Sequence, residues 1–198
     1  MPPPTPKLPI GAVFPPNSTV PPSPFLLEVY LDFCCPFSRK MWNTVTQFNK
    51  AHPEFRFTVQ LVPQPWHPQS CILHEFALSV RSIFGDERFF IFCDWIWGDN
   101  QSDFFDDKTA DKSRKEIYLH LMDGFGLEGG EKVQMDTFLA IGEGNSGNQA
   151  TQLVKWAVKY HRVRSVHVTP TVFVNGLEKG DISSGWTVEQ WKEMLDSV

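Results

Sequence analysis

Phe25-Leu26-Leu27-Glu28-Val29-Tyr30-Leu31-Asp32-Phe33-Cys34-Cys35-Pro36-Phe37-Ser38 is the stretch whose reading sets the architecture. Its first nine residues form a short apolar and aromatic run between upstream prolines and Cys-Pro, the pattern of a buried strand. Pro36 then suits the first turn of a helix, because the N–H it lacks would have no partner there. Met41, Trp42, Val45 and Phe48 continue at helical spacing, and the stripe stops near Ala51-His52-Pro53. Phe55 to Val62 alternates over much of its length, so this end of the chain reads β-α-β.

Working upstream, residues 1–24 hold ten of the sixteen prolines. Such a segment favours extended backbone and opposes ladder or helix bonding, so it is expected to be an arm, flexible or laid across the surface. It has no continuous apolar core of the secretory kind, and no later run approaches membrane-spanning length, so the expected location is cytoplasmic.

Downstream, the period changes. Ile72, Leu73, Phe76, Ala77, Val80 and Phe84 share one helical face, and Phe89, Phe90, Cys93, Ile96 and Trp97 another. Further helices are expected around Ile117–Met122, Met135–Leu139 and Leu153–Tyr160, with glycines between them. The strand signal returns at Thr171-Val172-Phe173-Val174, turns at Asn175-Gly176 and closes on a helix opened by the capping box Thr187-Val188-Glu189-Gln190. Neither end can bury a sheet alone. Residues 25–66 and 165–198 are therefore expected to form one mixed sheet, with 67–164 as a helical insertion and 1–24 as the arm.

Composition narrows the function. The chain has 198 residues, 18 Lys+Arg against 23 Asp+Glu, a net charge of −5, 41% hydrophobic residues and 14% aromatic residues. With no basic run, neither a nucleic-acid partner nor a polybasic membrane contact is expected. Four cysteines, Cys34, Cys35, Cys71 and Cys93, are too few for a disulfide scaffold and match no zinc spacing, so free thiols and no metal site are expected. Asp103, Asp106 and Asp107 lack the glycine and distal glutamate of a calcium loop and read as solvated.

The chemistry is expected at the strand-to-helix junction. A thiol at Cys35 faces the unpaired N–H groups of the helix start, which favour thiolate over thiol. Ser38 is placed to donate a hydrogen bond to that sulfur, Arg39 and Lys40 add positive potential, and Phe37 is a candidate substrate contact. Asp32 either relays protons or caps the turn. His67, in Gln64-Pro65-Trp66-His67-Pro68 after the second strand, is a candidate for touching substrate. His74-Glu75 reads as a rim pair. Cys34, Cys71 and Cys93 read as small apolar filler, and the run Phe89-Phe90-Ile91-Phe92 with Trp95 and Trp97 as core, with a wall over the Cys35 site or a partner surface as the other readings.

Val168-Thr169-Pro170-Thr171-Val172-Phe173-Val174-Asn175-Gly176 resembles the cis-proline loop and hairpin of thioredoxin-like proteins. With the helical insertion, residues 25–198 are similar to the DsbA-like branch of that superfamily. The resemblance implies an α/β, thioredoxin-like fold with an inserted all-helical sub-domain. It also implies that Thr169 and Pro170 align an extended thiol or disulfide substrate beside Cys35. Asp32-Phe33-Cys34-Cys35-Pro36-Phe37-Ser38 is similar as well to the D-x-x-S-P-Y/F-S motif of kappa-class glutathione transferases and 2-hydroxychromene-2-carboxylate isomerases, with Cys35 at their serine. Against the C-P-x-C of dithiol oxidoreductases, Ser38 replaces the second cysteine.

Without a second thiol at that position, a mixed disulfide on Cys35 waits for an external thiol such as glutathione, or for another cysteine. Cys34 is a poor resolver, since adjacent Cα atoms lie ~3.8 Å apart, under the ~4.4 Å usual for a disulfide. The expectation is thus a monothiol thiol–disulfide oxidoreductase with catalytic Cys35 and Ser38. Glutathione is its co-substrate rather than a tightly bound cofactor, and a homodimer is compatible. Two alternatives remain open: a kappa-like transferase or isomerase that uses the sulfur of bound glutathione, and a non-catalytic binding module.

Overall fold

The computed structural model describes residues 4–6 and 9–197. Residues 1–3, 7 and 8 of the proline-rich arm lie outside the described residues. Five strands form one mixed sheet in the order β1-β3-β2-β4-β5. These are β1 (Ala12–Phe14), β2 (Leu27–Leu31), β3 (Phe57–Leu61), β4 (Thr171–Val174) and β5 (Leu177–Glu178). β2 pairs in parallel with β3, and antiparallel with β4 in the register Leu27↔Val174 to Tyr30↔Thr171. The two ends of the chain therefore share one sheet, with the helical insertion between β3 and β4.

The arm departs from its expected role. Ala12, Val13 and Phe14 pair antiparallel with Val59, Thr58 and Phe57, so a segment read as incapable of ladder bonding supplies an edge strand. The reason is local, because prolines flank this triplet at Pro9 and Pro15 and none falls within it. Gln60 Nε2 donates to Ile10 O (3.2 Å), and one Nη of Arg56 donates to Ser18 O (3.0 Å) and Val20 O (2.7 Å). Gly11, at φ +87°, approaches the Gln60 side chain so closely that a Cβ would sit 2.6 Å from Nε2. Only glycine meets both demands there.

Alternation along the strands gives the sheet two apolar faces. Leu27, Val29, Leu31, Phe57 and Val59 belong to the main core with α1 (Pro36–Ala51) and α7 (Val188–Asp196). Phe57 meets Trp191 edge-on at 5.5 Å and Phe48 at 6.0 Å. On the other face Tyr30 packs with Phe173, Val62 and Val166, under Tyr160 of α6 (Thr151–Val163).

The insertion contains α2 (Ser70–Trp95), α3 (Asp106–Thr109), α4 (Arg114–Gly124), α5 (Gly129–Leu139) and α6. Gly85 (φ 86°, ψ 177°) breaks α2 into the two apolar faces expected from the sequence. Phe89, Phe90, Phe92 and Trp97 are buried in the main core, Trp95 packs partly buried against it, and Ile91 is exposed. Between α2 and α3 the chain makes a π-turn over Ile96–Asn100 and a 3-10 turn over Gln101–Phe104.

Candidate active site

Between the end of β2 and the start of α1 lie Asp32, Phe33, Cys34 and Cys35. Cys35 occupies the N-cap of α1 in extended backbone (φ −80°, ψ 118°), with Pro36 in the first turn. Its carbonyl accepts from the N–H groups of Ser38 (3.0 Å) and Arg39 (3.2 Å), and its own N–H donates to Asp32 O (3.2 Å). Cys35 is 8% exposed, and its Sγ donates to the carbonyl oxygen of Thr169 at 3.3 Å. The Thr169–Pro170 peptide is cis. Residues 134 apart in sequence meet because the antiparallel pairing of β2 with β4 sets Tyr30 opposite Thr171.

Other candidates fall differently. Ser38 is fully buried, and its Oγ accepts the N–H of Asp32 (3.1 Å). It was expected to serve the sulfur of Cys35. Instead it braces the backbone of the junction, and the polar contact to Sγ comes from the Thr169 carbonyl. Phe37 is 54% exposed at the head of α1, with Lys40 Nζ 5.7 Å above its ring. Arg39 pairs with Asp99 of the π-turn at 3.3 Å. His67 is turned to Asp106, with Nδ1 at 3.1 Å from Oδ1, and Gln69 Nε2 donates to the same oxygen (2.9 Å). The Gln69 and His67 contacts hold the Asp106 carboxyl below its ordinary range.

Asp32 is wholly buried and held by neutral donors. Oδ1 accepts from the Cys34 N–H (3.0 Å) and the Ser70 hydroxyl (2.8 Å), and Oδ2 from the Gln64 N–H (3.3 Å). His74 Nδ1 lies 4.0 Å from Oδ1 and 2.8 Å from the Ser70 carbonyl. Complete burial pushes the His74 imidazole down from the ordinary histidine range, against the pull of Asp32. His74 and Glu75 are therefore no rim pair. Both are buried, and Glu75 bonds Tyr118 and Arg114 of α4.

The four thiols divide clearly. Burial, with the negative charge of Asp32 next, pushes the Cys34 thiol far up, so it stays protonated. Burial likewise raises Cys93 well above its ordinary value. Cys71 is exposed rather than filler, and its partial burial and Glu75 raise it too. Only Cys35 joins a helix start to the loop of Thr169 and Pro170.

Two further side chains contribute: Trp97, for which a wall over the Cys35 site is one reading of the aromatic run, and Gln101, which no motif marks. Trp97 stacks on Phe33 (4.7 Å between centroids) and points Nε1 at Asp32 O (3.4 Å). Gln101 Nε2 donates to Phe33 O (2.9 Å) and Cys35 O (3.0 Å). Their partners are main-chain carbonyls more than sixty residues away, which leave no motif.

No family model and no curated protein matches the chain. Solved structures do. A proposed protein-disulfide isomerase from Pseudomonas syringae superposes with a TM-score of 0.73 at 24% identity, over 88% of this chain and 95% of that one. The thiol-disulfide exchange protein α-DsbA2 of Wolbachia pipientis gives 0.59 at 13% identity, over 88% and 82%. Oxidised BdbD of Bacillus subtilis gives 0.57 at 13%, over 94% and 91%. The chain has the DsbA-like form of the thioredoxin fold, a mixed sheet interrupted by a helical insertion.

Proposed function

We propose that the protein is a thiol–disulfide oxidoreductase whose single reactive sulfur is that of Cys35. The observation that carries this reading is the meeting of Cys35 Sγ with the Thr169 carbonyl at the start of α1. The positive end of the α1 dipole favours negative charge on a sulfur there. The neighbouring loop offers main-chain groups along which an extended substrate can lie. The proteins with similar structures include one named for thiol–disulfide exchange, which supports the same chemistry.

In the step proposed, the Cys35 thiolate attacks one sulfur of a substrate disulfide. A Cys35–substrate disulfide forms, and the other substrate sulfur leaves as a thiolate. Ser38 cannot attack that intermediate, and Cys34 is adjacent, buried and protonated. A glutathione thiolate from solution then attacks the substrate sulfur. Cys35 is released as thiolate, and the substrate leaves as its mixed disulfide with glutathione, so one disulfide is consumed and one formed.

The test is alkylation of the reduced protein across a pH series, with mass mapping of the labelled cysteine, followed by reaction with glutathione disulfide. Rapid labelling at Cys35, a single glutathione adduct there, and loss of both in Cys35→Ser are expected. Uniform slow labelling of all four cysteines overturns the reading. Glutathione-dependent transferase activity that survives Cys35→Ser gives the site to the kappa-like alternative.

A further inference from the structure

We propose that Gln101 is a positioning residue for Cys35, an amide from the helical insertion that sets the direction in which the sulfur points. The inference rests on the reading of Cys35 as the reactive sulfur and deepens it. One NH2 group bridges two carbonyls two residues apart, Phe33 O at 2.9 Å and Cys35 O at 3.0 Å. Fixing both ends of the Phe33–Cys35 segment fixes the backbone between them, and with it the side-chain direction of the terminal cysteine.

The orientation of the amide follows from its surroundings. Turned over, Gln101 would set its oxygen against two carbonyl oxygens, so the nitrogen must face them. The consequence falls on the other end. Among the described residues Oε1 has no hydrogen-bond partner, although Gln101 is only 1% exposed. Leaving a buried carbonyl unpaired costs on the order of 1–3 kcal/mol, a cost set against the two hydrogen bonds that the amide nitrogen gives the junction. An apolar side chain of the same length would strand no atom at that end but would take the amide donor from Phe33 O and Cys35 O.

The bridge also has an electrostatic side. The carbonyls of Phe33 and Cys35 are the negative ends of dipoles beside a sulfur that must carry negative charge. Donation from Gln101 turns them toward the amide and offsets them. Trp97 does the same for Asp32 O, so the stretch from the π-turn into the 3-10 turn donates to three of the four carbonyls of the junction, two of which also accept main-chain N–H groups.

The test compares wild type with Gln101→Met, similar in length and without hydrogen bonds, and with Gln101→Glu, which sets oxygen against the two carbonyls. Cys35 and Cys71 are alkylated in one sample, the exposed Cys71 serving as internal reference. In Gln101→Met the Cys35 rate constant is expected to fall about tenfold, and further in Gln101→Glu, because a misdirected nucleophile loses effective concentration. The Cys71 rate and the near-UV circular dichroism should not move. With a disulfide substrate the loss should appear in kcat rather than KM.

Wild-type Cys35 rates in Gln101→Met overturn the proposal, as does a slowing that Cys71 shares. Loss of folded protein in both variants overturns it too, since the amide then serves the fold and not the sulfur. Failure of the underlying reading looks different: wild type labels normally at Cys35 but exchanges with no disulfide.

Discussion

Two carboxylates are buried near the sheet, Glu28 inside β2 and Asp32 just past its end, and their surroundings are opposites. Glu28 has a cation, with an Nη of Arg164 2.7 Å from Oε2. Tyr160 (2.8 Å), Gln60 (3.2 Å) and Tyr30 (3.3 Å) share its other oxygen. Arg164 in turn lies 4.5 Å over the Phe173 ring. Among the described residues Asp32 has only two N–H groups and a hydroxyl, and burial favours the neutral form of the histidine beside it. A compensated charge locks two parts of a fold together. An uncompensated one, next to a cysteine pair, acts on whatever ionises near it.

This contrast yields variants of graded effect. Arg164→Met strands Glu28 in a buried position and is expected to lower stability by about 3 kcal/mol, with Cys35 labelling unchanged, as read by denaturant unfolding and alkylation. Asp32→Asn strands no charge but sets an amide N–H2 against at least one present donor. A loss of about 1–2 kcal/mol is expected, together with a changed Cys35 rate. Equal stability losses with an unmoved Cys35 rate would erase the distinction.

Acid sharpens the same comparison. Burial disfavours the His74 imidazolium, so the unfolded chain binds a proton there more readily than the folded one. Stability is then full above the ordinary histidine range and declines as pH falls through it. His161, also lowered chiefly by burial, adds in the same direction. The melting temperature should fall between about pH 7 and pH 5, bracketing the histidine range, and His74→Gln should flatten that slope. The smallest effect belongs to Cys34→Ala, a shift within about 1 kcal/mol and no change in exchange at Cys35; a large loss of exchange would make Cys34 a participant.

Much of this was legible in the sequence, for identifiable reasons. β2, α1 and the closing helix were marked by a Pro-bounded apolar run, a helical stripe ending at Ala51, and a capping box whose two hydrogen bonds the structure shows at Thr187 and Gln190. The pairing of the chain ends followed because neither could bury a sheet alone. The arm was misread because its composition was averaged over 24 residues, and the Pro-free triplet Ala12-Val13-Phe14 disappeared in that average. Ser38 was misread because helical position says which way a side chain leaves the backbone, not which of two nearby partners it meets. Gln101 and Ser70 could not be found, since a side chain bound to distant carbonyls or to one buried carboxylate has no sequence spacing to betray it, and Trp97 was visible only as part of an aromatic run and not by its bond to Asp32 O.

The three-residue pairing of β1 has one more effect, on how these molecules behave toward each other. β1 covers the hydrogen-bonding rim of β3, and at the far side the sheet stops at β5, only two residues long. Without the arm, the five-residue β3, with Phe57, Val59 and Leu61 alternating along it, would offer a row of free N–H and C=O groups to any passing chain. With that rim covered, a protein lacking residues 1–24 is expected to clump at concentrations where the full chain stays dispersed, as read by light scattering.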